Sequence, residues 1–345
     1  MGFEGRDPEA QWERYVAPGR VTVIVPSYNH APFVADCLSS IATETYPDLE
    51  VVMIDDGSRD GTFEAAQEWR RRNPGALSAF LLLRQDNQGL LKTLNRLVSL
   101  ARGQYICLLA SDDMLVPGGI EARVRALQEH PQWRVVFGDC SVVDNAGNPS
   151  MASGLTDLYG ADKRALADPR GIETELVWRW SVPGPVLLAD RRVYEDPDGY
   201  GAYPEDVIVE DRDFYLSALS KGQLGFVDRQ VAVYRLHGSN ASSVREGLVR
   251  RQNARCEIRR ARAFSGWSRL GLYLKAVSSL VEVSTRDQAG AKHWLRRIVM
   301  RLDRDLSRWI LRRNSERCMV ASEPLAAPQS AAALNALCVP EREAP

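Results

Sequence analysis

The chain has 345 residues, of which 45% are hydrophobic, and a formal net charge of −1. This composition excludes a disordered or fibrous protein and predicts one large core or two smaller ones. Its apolar runs are far shorter than the roughly 18 to 20 residues of a membrane span, and its first residues lack the basic-then-apolar order of a secretory signal. We therefore expect a globular, cytoplasmic protein.

Charge divides the chain into an acidic body and a basic C-terminal segment. Residues 1–244 carry 24 Lys and Arg against 35 Asp and Glu, whereas residues 245–317 carry 19 against 7. The six cysteines show no Cys-x-x-Cys spacing, so we interpret them as buried thiols and not as disulfides or zinc ligands.

Strands and helices alternate through the first 130 residues. The β-branched run VTVIVPSYN (21–29) predicts a buried strand that ends in a turn, and LEVVMIDDGSRDG (49–61) repeats the design. AFLLLR and QYICLLA predict two further strands, with helices between them. This alternation indicates an α/β fold with a mostly parallel sheet flanked by helices.

Three of the predicted strands end in the polar motifs PSYN, DDGS and SDD. Ligands of such sheets bind at the carboxyl ends of the strands, near a reversal in strand order, so the motifs are expected to converge on one crevice. Asp112 and Asp113 directly follow an apolar strand, where a cation or a helix N-terminus is needed to offset burial. Capping of the helix after Pro117 is the structural alternative.

A diphosphate substrate suits this crevice, because a divalent cation held by carboxylates neutralises the phosphates and stabilises the leaving group. We expect Asp113 to bind Mn²⁺ or Mg²⁺ and Asp112 to reach a ribose hydroxyl or the outer shell of the metal. Tyr28 offers a stacking face for a base, with a place in the core as the alternative. Asp55 or Asp56 offers an acceptor for a base or ribose, and a simple turn is the alternative there.

The later part of the chain is less regular. Residues 178–219 are rich in aromatic and acidic side chains, which suits a binding surface, and residues 245–313 are expected to be helical. One apolar helix face is predicted from the spacing of Trp294, Ile298, Leu302, Leu306, Trp309 and Ile310, with arginines on the other side. The Ala- and Pro-rich end is expected to be poorly ordered.

The order and spacing of PSYN, DDGSRDGT, Asn87 with Gly89, Asn95, Gly103 and SDD closely resemble the nucleotide-binding half of family 2 glycosyltransferases with the GT-A fold. Residues 207–242 resemble the acceptor half of that family. The resemblance implies a GT-A domain over 20–243, with halves 20–115 and 116–243. An N-terminal extension (1–19), a basic helical extension (244–320) and a disordered tail (321–345) are expected around it.

The resemblance implies metal-dependent transfer of a sugar from a nucleotide diphosphate sugar, with a UDP-sugar favoured, to an acceptor hydroxyl with inversion. Carried over by position, the expected nucleotide contacts are Pro26, Tyr28, Asn29, Asp55, Asp56, Lys92 and Asp112. The implied metal ligands are Asp113 and His237, with an ordinary loop histidine as the alternative for His237.

Asp211 in VIVEDRDF is the implied general base, with Glu210 beside it, since an inverting displacement requires one carboxylate to take the acceptor proton. Glu210 and Asp213 are its rivals, and helix capping is the structural alternative. Arg235 is expected to compensate phosphate charge. Trp180, like Trp178 and Tyr200, suits either stacking on a sugar or a place in the core.

Many family members carry an acid where this chain has Ala110, which keeps open a degenerate module that only binds a sugar nucleotide or a partner protein. A sugar nucleotidyltransferase is less favoured, because PSYNHAP lacks a Gly-rich loop with an Arg. The acceptor is expected to be a carbohydrate, a lipid-linked sugar or a small molecule, in surface polysaccharide or glycoconjugate biosynthesis.

For the basic helices, packing against the body or dimerisation is favoured over contact with the inner face of the membrane. No nucleic-acid partner is expected, because no recognised fold or base-stacking pattern accompanies the charge.

Overall fold

The computed structural model describes residues 9, 12, 15–206, 209–238, 246–285 and 291–322. The strands are β1 (Ala17–Ser27), β2 (Leu49–Asp55), β3 (Phe80–Arg84), β4 (Gly103–Leu108), β5 (Met114–Leu115), β6 (Val135–Val143), β7 (Pro149–Met151), β8 (Leu187–Asp190) and β9 (Leu224–Arg235). The helices are α1 (Val34–Ala42), α2 (Thr62–Arg72), α3 (Leu90–Leu100), α4 (Gly119–Glu129), α5 (Lys163–Ala167), α6 (Ile172–Trp178), α7 (Arg192–Glu195), α8 (Glu210–Ser220), α9 (Glu246–Ala261), α10 (Gly266–Thr285) and α11 (Ala291–Ser322).

One sheet joins the described strands in the order β3-β2-β1-β4-β8-β6-β9-β5, and β7 pairs with β6. The first four strands are mutually parallel, as predicted. The second half is mixed, because β8 runs antiparallel to both β4 and β6 while β9 is parallel to β6. The predicted α/β fold is therefore confirmed, and its parallel character is concentrated in the N-terminal half.

The alternation of side chains along β1 explains why helices cover both faces of the sheet. Val23 and Val25 share one buried cluster with Cys37 of α1, whereas Ile24 belongs to the other cluster with Leu94 of α3. Because successive strand residues point to opposite faces, an unbroken apolar strand requires cover on both sides.

The C-terminal helices pack against the second half of the sheet domain. Gly271 of α10 lies so close to the indole of Trp178 that a Cβ there would come within 2.7 Å of the ring. Asn314 of α11 donates to the carbonyl of Gly171 at 3.1 Å. Within the described part of the chain, no helix is both long and apolar enough to cross a membrane.

The apolar residues predicted to share one face of the last helix do lie on one side of it, but only part of that face is buried. Leu306 and Ile310 pack on the core, but Trp294, Leu302 and Trp309 are 65%, 58% and 48% exposed. Helix packing uses only part of the apolar pattern because α10 and α6 contact one side of α11. The expected disordered tail lies almost entirely outside the described residues.

Candidate active site

The strand order brings three loops to one edge of the sheet. β1 lies between β2 and β4, so the connections from β1 to β2 and from β3 to β4 leave in opposite directions and open a crevice at the carboxyl end of β1. There the backbone N–H of Asn29 donates to Ser58 Oγ at 2.9 Å, and Ser111 Oγ donates to Ser27 Oγ at 3.0 Å. The PSYN, DDGS and SDD motifs therefore meet, as expected.

Asp55, the last residue of β2, and Asp56 hold the neighbouring loops in place through their carboxylates. Asp55 accepts hydrogen bonds from the hydroxyl and backbone N–H of Ser58, and burial raises the pKa of Asp55. Asp56 accepts from the backbone N–H groups of Gln88 and Gly89, each at 2.8 Å. Both carboxylates thus shape the crevice from within, and their predicted contacts with a nucleotide stay predictions.

The other predicted nucleotide contacts differ in exposure. Tyr28 is 46% exposed beside the crevice, and Asn29 has a left-handed φ of 56°, which is uncommon for a residue other than glycine. Pro26 is buried within β1, opposite Ile54 of β2. Lys92 is exposed on α3 with its Nζ 3.7 Å from Glu205. The contacts of these residues with a nucleotide stay predictions.

Asp112 lies at the centre of a cluster with two histidines. His237 Nε2 is 2.9 Å from Asp112 Oδ2, and His30 Nδ1 is 3.6 Å from Asp112 Oδ1. One potential ligand atom from each of the three residues lies within 4.8 Å of those of the others. Oδ1 of Asp112 is buried and has no hydrogen-bond partner within the part of the chain that the structure describes, so a cation would satisfy it. A carboxylate and two imidazoles form a chemically suitable set for a divalent metal.

Asp113 has a different environment from the one predicted. Its Oδ1 accepts the backbone N–H of Arg235 at 2.9 Å, and burial, together with the charge of Asp112, raises its pKa well above the usual range. Among the described residues, Asp112 rather than Asp113 joins the histidines, and the role of Asp113 as a metal ligand stays a prediction. Asp113 holds the turn of Ser111, Asp112 and Asp113, called the acidic turn below, against the end of β9. This contact lies two residues before His237.

The guanidinium of Arg235 is buried and engaged by protein groups. Nη2 lies 2.9 Å from Asp36 of α1, Nε donates to the backbone carbonyl of Asp112 at 3.1 Å, and the group stacks 5.0 Å from the Phe33 ring. Its role in compensating phosphate charge stays a prediction. Arg235 holds α1, the acidic turn and β9 together.

His30 is the member of the cluster that the sequence analysis overlooked. It directly follows PSYN, and its backbone carbonyl accepts hydrogen bonds from Phe33 and Val34 where α1 begins. Burial lowers the pKa of His30 despite the opposing charge of Asp112, which favours the neutral imidazole that metals bind. The sequence feature that could have identified His30 is its place at the carboxyl end of a central strand, where ligands of such sheets bind.

A second pair of acids begins α8. Surrounding protein raises the pKa of Glu210 to about 8, with the charge of Asp211 as a further cause, and desolvation also raises the pKa of Asp211. The Asp211 side chain nevertheless remains accessible to solvent at the protein surface. An accessible carboxylate with a raised pKa has the properties of a general base.

Asp213, a rival of Asp211, is less suitable as the general base. Asp213 is buried and forms ion pairs with Arg259 and Arg260, each at 2.6 Å. Although burial acts in the opposite direction, these arginines lower the pKa of Asp213. Tyr200 donates to the same carboxylate at 2.9 Å. The ion pairs and the hydrogen bond give Asp213 and Tyr200 a structural role.

The two tryptophans of WRW lie in different environments. Trp178 is 1% exposed, so of its two predicted roles, stacking on a sugar or a place in the core, it has the second. Trp180 is half-buried, has a left-handed φ of 54° and lies against Arg212, whose guanidinium carbon is 4.9 Å from its ring centre. Because Arg212 follows Asp211, Trp180 is placed near the acid pair by this contact. Strained backbone of this kind concentrates at functional sites.

A comparison with known protein families matches residues 22–155 to the model described as "Glycosyl transferase family 2". The match includes all three loops of the crevice and the acidic turn. These residues form a family 2 glycosyltransferase domain. The resemblance stated for the nucleotide-binding half is therefore confirmed, whereas the match ends before residues 207–242, which were compared with the acceptor half.

Curated relatives agree with this family 2 domain. The "PGL/p-HBAD biosynthesis glycosyltransferase" of Mycobacterium bovis is 35% identical over 119 residues, which cover 34% of this chain and 45% of the relative. The matched segments span less than half the length of the first curated relatives.

Solved structures match nearly the whole fold. S. aureus TarS 1–349 in complex with UDP-GlcNAc has a TM-score of 0.54 at 17% identity, covering 88% of this chain and 92% of that one. The mannosyltransferase PcManGT from Pyrobaculum calidifontis, in complex with GDP-Man and Mn²⁺, has a TM-score of 0.53 at 18% identity, covering 91% and 92%. At these identities, the likeness shows the fold, which is the predicted GT-A type.

Proposed function

We propose that this chain is a metal-dependent, inverting glycosyltransferase that moves a sugar from a nucleotide diphosphate sugar to an acceptor hydroxyl. The observation that carries this proposal is the cluster of His30, Asp112 and His237 at the crevice of a family 2 domain. A buried carboxylate oxygen without a partner in such a cluster calls for a cation, and a diphosphate is a natural further ligand of that cation.

In this proposal Asp112 and His237 hold the Mn²⁺ or Mg²⁺ ion, and Asp113 supports the turn that carries Asp112. The bound ion would supply charge neutralisation for the leaving diphosphate. Arg235 keeps the turn and His237 at a fixed separation through its contacts to α1 and to Asp112. Exposed Tyr28 is proposed to stack on the base at the opposite end of the crevice.

Asp211 is the proposed general base. It takes the proton of the acceptor hydroxyl as the oxygen attacks the anomeric carbon and the bond to the diphosphate breaks, which inverts that carbon in one step. Burial and the charge of Asp211 raise the pKa of Glu210, which favours a protonated Glu210 beside an ionised Asp211. Half-buried Trp180 beside Arg212 is proposed to contact the sugar of the donor or the acceptor.

The donor is proposed to be a UDP-sugar. TarS is described with UDP-GlcNAc and the mannosyltransferase with GDP-Man, so both bases occur among proteins of this fold. The deciding experiment is calorimetric binding of UDP, GDP, dTDP and CDP, each with and without Mn²⁺, to wild type and Asp112→Ala. Tight binding of one nucleotide that requires both Mn²⁺ and Asp112 is expected.

A degenerate binding module is the alternative, and Ala110 is the feature that favours it. The two proposals differ in turnover. An active enzyme is expected to hydrolyse its donor slowly without acceptor and to lose this activity in Asp112→Ala. Metal-dependent nucleotide binding with no hydrolysis and no transfer to any acceptor would favour the binding module.

We also propose that the outer face of α11 contacts an anionic membrane surface, where a lipid-linked acceptor would lie. Trp294, Leu302 and Trp309 are exposed and are spaced so that they follow one side of the helix. The exposed arginines of α11 are Arg297, Arg301, Arg304, Arg308, Arg312, Arg313 and Arg317. Trp favours the interfacial region of a bilayer, and arginines are attracted to anionic headgroups.

Vesicle sedimentation tests this contact. The full chain is expected to bind phosphatidylcholine vesicles only when they contain phosphatidylglycerol, and Trp294→Ser with Trp309→Ser should weaken that binding. Arg70→Gln with Arg71→Gln on α2 is the control, because these exposed arginines lie on a different helix. If wild type ignores the vesicles and light scattering shows a dimer that the tryptophan variant breaks, the face is a dimer contact instead.

A further inference from the structure

We propose that His30 is a third protein ligand of the metal, and that it makes the site selective for Mn²⁺ over Mg²⁺. The inference deepens the proposed function, since it concerns the same ion, but it is tested by metal binding alone. It assigns a role to a histidine outside the acidic motif and outside the C-terminal motif that carries His237.

The surroundings of His30 fix the orientation of its ring. Nδ1 lies 2.8 Å from Ser111 Oγ, and Ser111 in turn donates to Ser27 Oγ at 3.0 Å. With the Ser111 proton directed at Ser27, Nδ1–H of His30 donates to Ser111, which leaves Nε2 with its lone pair. Metal-binding histidines are oriented in this way by a hydrogen bond at the other ring nitrogen.

The backbone of His30 is held just as firmly as its ring. Its N–H donates to Thr62 Oγ1 at 2.8 Å, and its carbonyl accepts from Phe33 and Val34 at 3.0 Å each. The ring also meets that of His237 edge to face, with 5.8 Å between centres. The imidazole is therefore placed beside Asp112 before any ion binds, so little ordering is required on binding.

Two observations point to a ligand between His30 and Asp112. The Asp112 side chain is 9% exposed, and its buried Oδ1 has no hydrogen-bond partner among the described residues. In addition, a ligand atom of His30 lies within 4.8 Å of those of Asp112 and His237. An imidazole from the end of β1 would therefore complete a set of three protein ligands.

A second imidazole in the ligand set changes which metal the site prefers. Mg²⁺ is bound mainly through oxygen ligands and keeps several waters, whereas imidazole suits first-row transition ions. A set of two imidazoles and one carboxylate should therefore bind Mn²⁺ more tightly than Mg²⁺. A site with one carboxylate and one imidazole would discriminate less.

The experiment measures Mn²⁺ binding to the full chain by electron paramagnetic resonance of the free ion, with Mg²⁺ as competitor and with UDP absent or present. Wild type should bind Mn²⁺ in preference to Mg²⁺. His30→Gln should weaken Mn²⁺ binding by at least about 10-fold and change Mg²⁺ binding much less, so that the preference shrinks. His130→Gln is the matched control, because His130 stacks on Trp133 away from the cluster.

A second measurement does not depend on a variant. Zn²⁺, a diamagnetic ion that imidazoles bind, should shift the ¹⁵N NMR signals of the metal-bound ring nitrogens of both His30 and His237 and leave those of His130 unchanged. A shift of the ring nitrogen of His237 with unchanged nitrogens in His30, or equal Mn²⁺ affinity in wild type and a folded His30→Gln, would overturn the inference while leaving the proposed function intact. If no Mn²⁺ binds to wild type with or without UDP, the metal-dependent function itself fails.

Discussion

Asp112 Oδ2 lies 2.9 Å from Nε2 of His237, although 125 positions of sequence separate the two residues. The contact exists because Asp113 and Arg235 join the turn after β4 to the end of β9. Adjacent acids thus have separate tasks. One faces the crevice, and its neighbour is buried beneath it.

This division predicts different effects for the two aspartates. Asp112→Ala should reduce Mn²⁺-dependent UDP binding by at least about 10-fold with little loss of thermal stability, because it removes a ligand from the crevice. Asp113→Ala should lower thermal stability as well, because the backbone N–H of Arg235 loses its buried acceptor. Calorimetry and thermal melts measure both effects, and exposed Asp305→Asn on α11 is the control. Equal stability losses in the two variants would contradict the division.

Asp211→Asn should leave donor affinity nearly unchanged while kcat falls by about 100-fold or more, the scale of losing a general base. The amide keeps the size of the side chain but cannot accept the proton. Steady-state kinetics with a matched acceptor and donor-binding calorimetry separate the two effects. Unchanged turnover would exclude Asp211 as the general base and make Glu210 the next candidate for that role.

Activity should also depend on pH through Asp211. The base must be ionised, and its pKa is raised by the surrounding protein. The acidic limb of the pH–kcat profile should therefore lie at higher pH than that of an ordinary aspartate. A profile that stays flat down to the usual aspartate range would argue against this base.

Glu210 should make stability decrease as pH rises. Its pKa is raised from 4.5 in the unfolded chain to about 8 in the folded protein, so the folded state binds the proton more tightly. The stabilisation is complete below pH 4.5 and is lost as pH rises through about 8. Urea unfolding at several pH values should show this decline in wild type and a smaller one in Glu210→Gln.

Asp213→Ala should lower the free energy of unfolding by about 1 to 3 kcal/mol. The change leaves Arg259 and Arg260 without their shared carboxylate, and their partial exposure limits the cost. Turnover per folded molecule should change little. A large loss of kcat in a stable Asp213→Ala protein would restore Asp213 as a candidate base.

The sequence by itself determined the alternation of strands and helices, the convergence of three polar strand ends and the family resemblance. These features depend on local apolar periodicity and on a parallel sheet in which the ends of neighbouring strands meet at one edge. The mixed second half was harder to predict, because antiparallel β8 inserts between β4 and β6, which is a long-range pairing.

Tertiary structure alone decided which of two adjacent acids faces the crevice, because a turn and not a periodic element sets the direction of each side chain. It also brought His30 to Asp112 from the end of a neighbouring strand, and it engaged Arg235 and Asp213 in buried contacts with residues far away in the chain. Such assignments depend on contacts between distant segments, whereas local patterns report only whether a residue lies in a strand, a helix or a turn.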